Sequence, residues 1–161
     1  LDIDFHRLGI RIVECSQAGG PGIFIKVADA LGINWHVVAD GDDGGQKYAE
    51  DARGLLNGRR EADHISSLAH PNIDILLCCS GYGQPYLDGV GPQKVGELET
   101  LTVGSQAYWE KVYKIVNGSR RFSKPEAALK SILLMKNDGK DGVPSDLRDI
   151  IERITAIGVV P

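Results

Sequence analysis

Apolar residues change their spacing several times along the chain, and each spacing points to a different element. Ile10 to Cys15 is a short β-branched run that reads as a strand, and Ser16 to Gly22 follows as a Gly/Pro turn opening a helix. Phe24, Val27, Ala28 and Leu31 recur at i, i+3, i+4 and i+7, one face of an amphipathic helix, with Gly32 placed to stop it. Ile33 to Ala39 is a continuous apolar run with β-branched and aromatic members, as in a strand buried on both faces of a parallel sheet. From about Gly45 to Leu56 the pattern is helical again, with Tyr48, Ala52 and Leu55 on one side, and a short strand is expected at Ile65 to Leu68. Strands alternating with helices predict an α/β fold. Its mostly parallel sheet would be flanked by helices and would take ligands at the carboxyl ends of its strands.

Beyond this point the signals turn helical. Ile73, Leu76 and Leu77 make Asn72 to Cys79 read as a helix with Asp74 on its exposed side, although Ile75 to Cys78 would also suit a buried strand. Gly81 to Gly104 is glycine-rich and reads as an irregular connection at the edge of the sheet domain. Trp109, Val112, Tyr113 and Val116 restore the helical period. Ser123 and Glu126 form a capping box for a helix running to about Asn137, and Leu147, Ile150, Ile151 and Ile154 mark one more. The expected organisation is an α/β core over residues 1–90 and a C-terminal helical addition over 91–161.

Composition narrows the class. With 42% hydrophobic and 25% charged residues, the 161-residue chain is that of a folded globular protein rather than a disordered or collagenous one. Its longest apolar runs fall short of the roughly 20 residues that span a bilayer, and no signal peptide is visible. Three cysteines, two of them adjacent as Cys78 and Cys79, support neither a disulfide framework nor a CxxC zinc site, so a reducing, cytoplasmic setting without membrane association is expected. Leu1 in place of an initiator methionine reads as a piece of a longer protein. The net charge of −4 argues against a broad basic surface for duplex phosphates, but bound divalent cations would offset that charge locally.

The stretch from His36 to Gly45 holds the main candidate chemistry. Asp40 and Asp42 stand two apart at the mouth of the expected strand, and a turn at Gly41 would let both face one cavity, where hard oxygen ligands suit Mg²⁺ or Mn²⁺. The alternative is a solvated Asp/Gly turn that merely leaves the strand. Lys124 sits in the first turn of its helix, where the macrodipole disfavours a cation, so either function or chance places it there. Glu14 ends the first expected strand, but only one helix separates it from Asp40. It therefore reads as a residue of a second strand rather than as a metal-binding glutamate. His6, His36, His64 and His70 show no paired ligand spacing.

Gly9-Ile-Arg-Ile-Val-Glu-Cys15, Phe24 to Gly32, Val37 to Asp42 with Gly45-Gln-Lys-Tyr48, His70-Pro-Asn-Ile-Asp74 and Ser123-Lys-Pro125 together resemble the C-terminal region of overcoming-lysogenization-defect (OLD) family nucleases. The class resembled is the one found beside a helicase-like partner gene. The resemblance implies a Toprim-like sheet with a helical addition, following an ATPase domain of the same full-length protein. No GxxxxGK[ST] loop occurs in these residues. It further implies two-metal cleavage of DNA, in which Asp40 and Asp42 match the DxD ligands and Asp74 a downstream acidic ligand. Lys124 matches a lysine that stabilises charge on the scissile phosphate, and Asn72 a supporting position. The family's first-strand glutamate would lie upstream of Leu1.

Two rival readings use the same acids. A strand ending in DxDG is similar to that of haloacid-dehalogenase-like phosphatases, with Asp40 as nucleophile, Asp42 as acid/base, and Lys124 with Asp138 or Asp141 in later motifs. A non-enzymatic signalling module would use Asp42, Asp43 and Lys124 as an acidic pocket. In both families the acidic strand usually comes first, whereas a βα unit is expected ahead of it here.

Overall fold

The computed structural model describes residues 3–120 and 122–158, with the side chains of residues 140, 141 and 158 outside the description. These residues fall into two units, one within Leu1–Ala69 and Ser145–Pro161, the other within His70–Pro144.

In the first unit, helix α1 (Gly22–Leu31) ends where expected. Gly32 adopts a left-handed conformation with φ 67° and its N–H returns to Ala28 and Asp29, a geometry that glycine adopts without Cβ strain. Strand β1 (Val37–Ala39) leads to α2 (Asp43–Arg53), and the short α3 (Glu61–His64) to β2 (Ile65–Ser67). The two strands pair in parallel, Val37 with Ile65, Val38 with Ser66 and Ala39 with Ser67, and the Leu68 amide extends the ladder by donating to Ala39 O at 2.9 Å. Helix α2 packs against both strands and α1 against α2. The core gathers Ile25, Ala39, Ala49, Ala52 and Ile65, with Trp35, Val37, Leu55 and Leu56 around it. Asp29 of α1 accepts from the Trp35 indole at 3.0 Å and from Arg59 at 2.7 Å, tying the approach to β1 to the loop after α2. Helix α8 (Ser145–Gly158) belongs to this unit.

Three expectations are corrected here. Ile10 to Cys15 form no strand, and Ile12 is 81% exposed, so the described sheet has two strands rather than three. A β-branched run becomes a strand only where a neighbour pairs with it. The run from Ile33 yields a strand only at Val37, and Val38 is exposed, so the strand is not buried on both faces. In α1 the buried residue is Ile25, while Val27 and Leu31 of the expected face lie open, because α2 packs on the other side.

The second unit is helical: α4 (Ile73–Leu77), a π-turn (Cys78–Tyr82), α5 (Gln84–Leu87), a 3₁₀ turn (Pro92–Leu98), α6 (Gln106–Asn117), α7 (Lys124–Asn137) and a 3₁₀ turn (Gly139–Gly142). Its core joins Ile75, Cys78, Tyr86, Leu98, Tyr108, Trp109, Val112, Val116 and Ala127. The glycine-rich stretch is therefore a packed part of the unit and not an irregular edge. A Cβ on Gly83 would lie 2.4 Å from the Trp109 ring, and one on Gly89 2.6 Å from Phe122, so these glycines let α5 approach both rings. Among the described residues no helix is long and apolar enough to cross a membrane.

Candidate metal centre

Asp40 immediately follows β1, so the strand's hydrogen bonds to β2 fix where its backbone emerges. Both Asp40 and Asp42 are exposed. Asp42 is the N-cap of α2, its Oδ1 accepting from the Gly45 amide at 2.8 Å, which satisfies one of the otherwise unpaired first-turn N–H groups. Gly45 is buried where α2 folds back over the strand end. A Cβ at Gly45 would lie 2.0 Å from Asp40 O and 2.7 Å from Asp40 N. The Asp-Gly-Asp-Asp-Gly-Gly sequence thus folds into a tight strand-to-helix turn in which Asp40 follows the strand and Asp42 and Asp43 stand at the helix's positive pole.

The donor set fits a hard divalent cation. Mg²⁺ is usually held by one or two carboxylates, with waters and substrate phosphates completing its shell. Asp40 and Asp42 carry oxygen donors of that kind, and the helix start favours an anionic partner nearby. Among the described residues no three of His, Cys, Asp and Glu are grouped so that they could hold a metal ion. Glu14 is exposed and its Oε1 accepts from the Ser16 amide at 2.7 Å; hydrogen bonds from the Ser16 side chain and then its backbone lower the pKa of Glu14. Three of the four histidines are engaged elsewhere. His36 bridges Asp63 O and Ser66 Oγ, both at 2.9 Å, His64 meets Trp35 O at 2.8 Å, and His70 meets Gln106 at 3.0 Å.

Asn72, Asp74 and Lys124 belong to the second unit. Asn72 caps α4, accepting from the Ile75 amide at 3.0 Å. Asp74, expected on the exposed side of that helix, is instead only 6% exposed, while Ile73 turns outward. The inversion has a polar cause. Asp74 Oδ1 accepts from the Tyr86 hydroxyl at 2.5 Å, and Oδ2 pairs with Lys124 Nζ at 3.1 Å. A carboxylate is retained in an interior when such partners satisfy it. Burial and the bond to Asp74 push the Tyr86 phenol up, and burial with the Asp74 charge pushes the Cys78 thiol up to about 12.

Lys124 is the first residue of α7, and Ser123 caps the helix by accepting from the Glu126 amide at 3.4 Å. Glu126 pairs with Lys130 at 2.7 Å. The Lys124 ammonium donates to the Tyr113 hydroxyl at 2.5 Å and lies 5.0 Å from the centre of that ring. Partial burial opposes its charged form, but the bonds to Tyr113 and Asp74 outweigh this and raise its pKa.

The structure therefore brings Asp40 and Asp42 together in one unit, and Asp74 and Lys124 together in the other. Tyr86 and Tyr113 were not singled out from the sequence, because a tyrosine on an apolar helix face reads as packing. Their signal was a phenol that needs a polar partner when its ring is buried. Asp138, a candidate in the phosphatase reading, accepts from Tyr82 at 3.0 Å, and the Asp141 side chain lies outside the described residues.

Residues 1–42 match the family described as overcoming lysogenization defect protein-like, TOPRIM domain, a match that ends on Asp42. The chain is also similar to an uncharacterized protein of Escherichia coli (strain K12), YbjD, with 29% identity over 154 residues, covering 93% of this chain and 25% of that protein. It thus spans about a quarter of that relative's length. No solved structure matches it significantly. Over residues 1–42 the chain is thus similar to the Toprim domain of OLD-like proteins, a domain type generally associated with divalent metals and nucleic-acid chemistry.

Proposed function

We propose that this chain is the catalytic part of a metal-dependent DNA endonuclease that hydrolyses phosphodiester bonds by a two-metal route. The observation that carries the reading is the carboxylate pair Asp40 and Asp42, set on a tight strand-to-helix turn at the end of the Toprim match. Asp40 and Asp42 would hold Mg²⁺ or Mn²⁺, which when bound supplies Lewis acidity and positive charge against phosphate oxygens. Lys124 would meet the charge that develops on the phosphate, as preorganised cations do in phosphoryl chemistry. Asn72 supports the scheme by capping the helix that carries Asp74. Asp74 would act as a further ligand only by releasing Tyr86 or Lys124, since each of its oxygens has a partner.

In this reading the residues work within a longer, cytoplasmic ATPase-nuclease, with an ATPase domain on the N-terminal side and a helicase-like protein as partner. The test is cleavage of plasmid and linear duplex DNA with Mg²⁺, with Mn²⁺ and with chelator. Cleavage that needs the ion and disappears in Asp40→Asn, with Lys124→Ala lowering the rate about 10²-fold, is the expected result. Metal-independent cleavage, or full activity in Asp40→Asn, would overturn the proposal.

A further inference from the structure

We propose that Tyr113 is a positioning residue for Lys124, holding its ammonium in a fixed direction so that one N–H remains for a phosphate oxygen. The inference rests on the reading that Lys124 faces a phosphate. A lysine reaches its ligand through a flexible four-carbon stem, and an ammonium has three donors. Two of them are engaged here, one by Asp74 Oδ2 at 3.1 Å and one by Tyr113 Oη at 2.5 Å. The side chain is still 44% exposed, which leaves the third donor a solvent-facing direction.

The two holders differ in chemistry. Asp74 carries a full negative charge and by itself would largely cancel the ammonium it orients. Tyr113 offers a neutral oxygen, so it restrains the ammonium without reducing its attraction for an anion. Both holders are anchored independently of Lys124. Asp74 is fixed from behind by the hydroxyl of the fully buried Tyr86. The Tyr113 ring packs against the core that includes Val112 and Val116 of its own helix. The ammonium thus sits where side chains from α4, α6 and α7 meet, and a stem with two anchored holders has little rotational freedom left.

The test uses Tyr113→Phe, which removes one oxygen and keeps the ring. In the lysine-ammonium ¹⁵N spectrum of the 161-residue chain, the Lys124 N–H groups should exchange with water about 10-fold faster in the variant, as one charge-assisted bond is lost. The thermal midpoint should hold. In the DNA-cleaving protein the same variant should lose about 10-fold in kcat with KM unchanged, the pattern of an interaction that matters in the transition state. Unchanged exchange at Lys124 would overturn the positioning role, and faster exchange with an unchanged kcat would overturn its bearing on the reaction. If the parent protein cleaves no DNA, the nuclease reading falls, and the spectrum alone still decides whether Tyr113 holds Lys124.

Discussion

Replacing Gly45 by alanine adds one methyl group at the place where α2 folds back on the end of β1. The new carbon would stand 2.0 Å from Asp40 O, against backbone that cannot swing aside as a side chain would. Relief requires about 1 Å of movement, since Cβ atoms essentially never approach other heavy atoms closer than 3.0 Å. That movement must come from Asp40, whose neighbour Ala39 is buried and paired to β2, or from the start of α2. Forcing volume into packed structure costs roughly 1–3 kcal/mol, and rigid surroundings place this site at the upper end. Alanine's better helix propensity returns up to about 1 kcal/mol, so a net loss of about 2 kcal/mol is expected. For a chain of this size that is a fall of about 4–8 °C in Tm. Gly44→Ala is the control, because its Cβ would meet only the Asp42 side chain at 3.3 Å. Thermal and urea unfolding of both variants, with Mn²⁺ titrations, form the assay. Gly45→Ala should lose stability and ion affinity together, while Gly44→Ala holds its stability or gains from the better helix propensity. A Gly45→Ala variant as stable as the parent would refute the claim that this close approach shapes the carboxylate turn.

Asp42 can be divided into its two roles. Asp42→Asn keeps a good helix cap and should unfold with the parent while losing divalent-ion affinity by calorimetry, whereas Asp42→Ala should also lose about 1 kcal/mol; equal ion binding in the asparagine variant would make Asp42 a cap alone. Asp74→Ala strips partners from the Tyr86 hydroxyl and the Lys124 ammonium, and because Lys124 is partly exposed the expected cost is about 2–3 kcal/mol by denaturant unfolding. A change under about 0.5 kcal/mol would show the pair to be structurally idle. Burial holds His36 below the ordinary histidine value of 6.5. Its contribution is therefore complete above that value and is lost as pH falls through the lower folded-state value, because the unfolded chain takes up the proton first. Tm should drop from pH 7 toward pH 5 by less in His36→Asn than in the parent, and parallel curves would rule His36 out as the source.

Local pattern was enough to locate most helices. The stop at Gly32, the cap at Ser123 and the apolar period of Trp109, Val112 and Val116 depend on hydrogen bonds and side-chain neighbours within one or two turns, and the sequence records those directly. The DxD at the end of an apolar run was legible for the same reason. Which apolar residues would be covered was not, because an exposed Leu31 and a buried Ile25 belong to equally apolar sides of one helix until α2 packs on one of them. The β-branched Ile10 to Cys15 looked like Ile65 to Ser67, yet only the latter has a strand beside it. Asp74 shows the division most clearly. By periodicity it belonged outside, and only partners brought from other helices, Tyr86 and Lys124, make its burial favourable. Residue type and spacing determined the helices, their ends and the candidate acids. Tertiary structure decided strand pairing, the buried faces and the companions of each charge, because those free energies depend on groups distant along the chain.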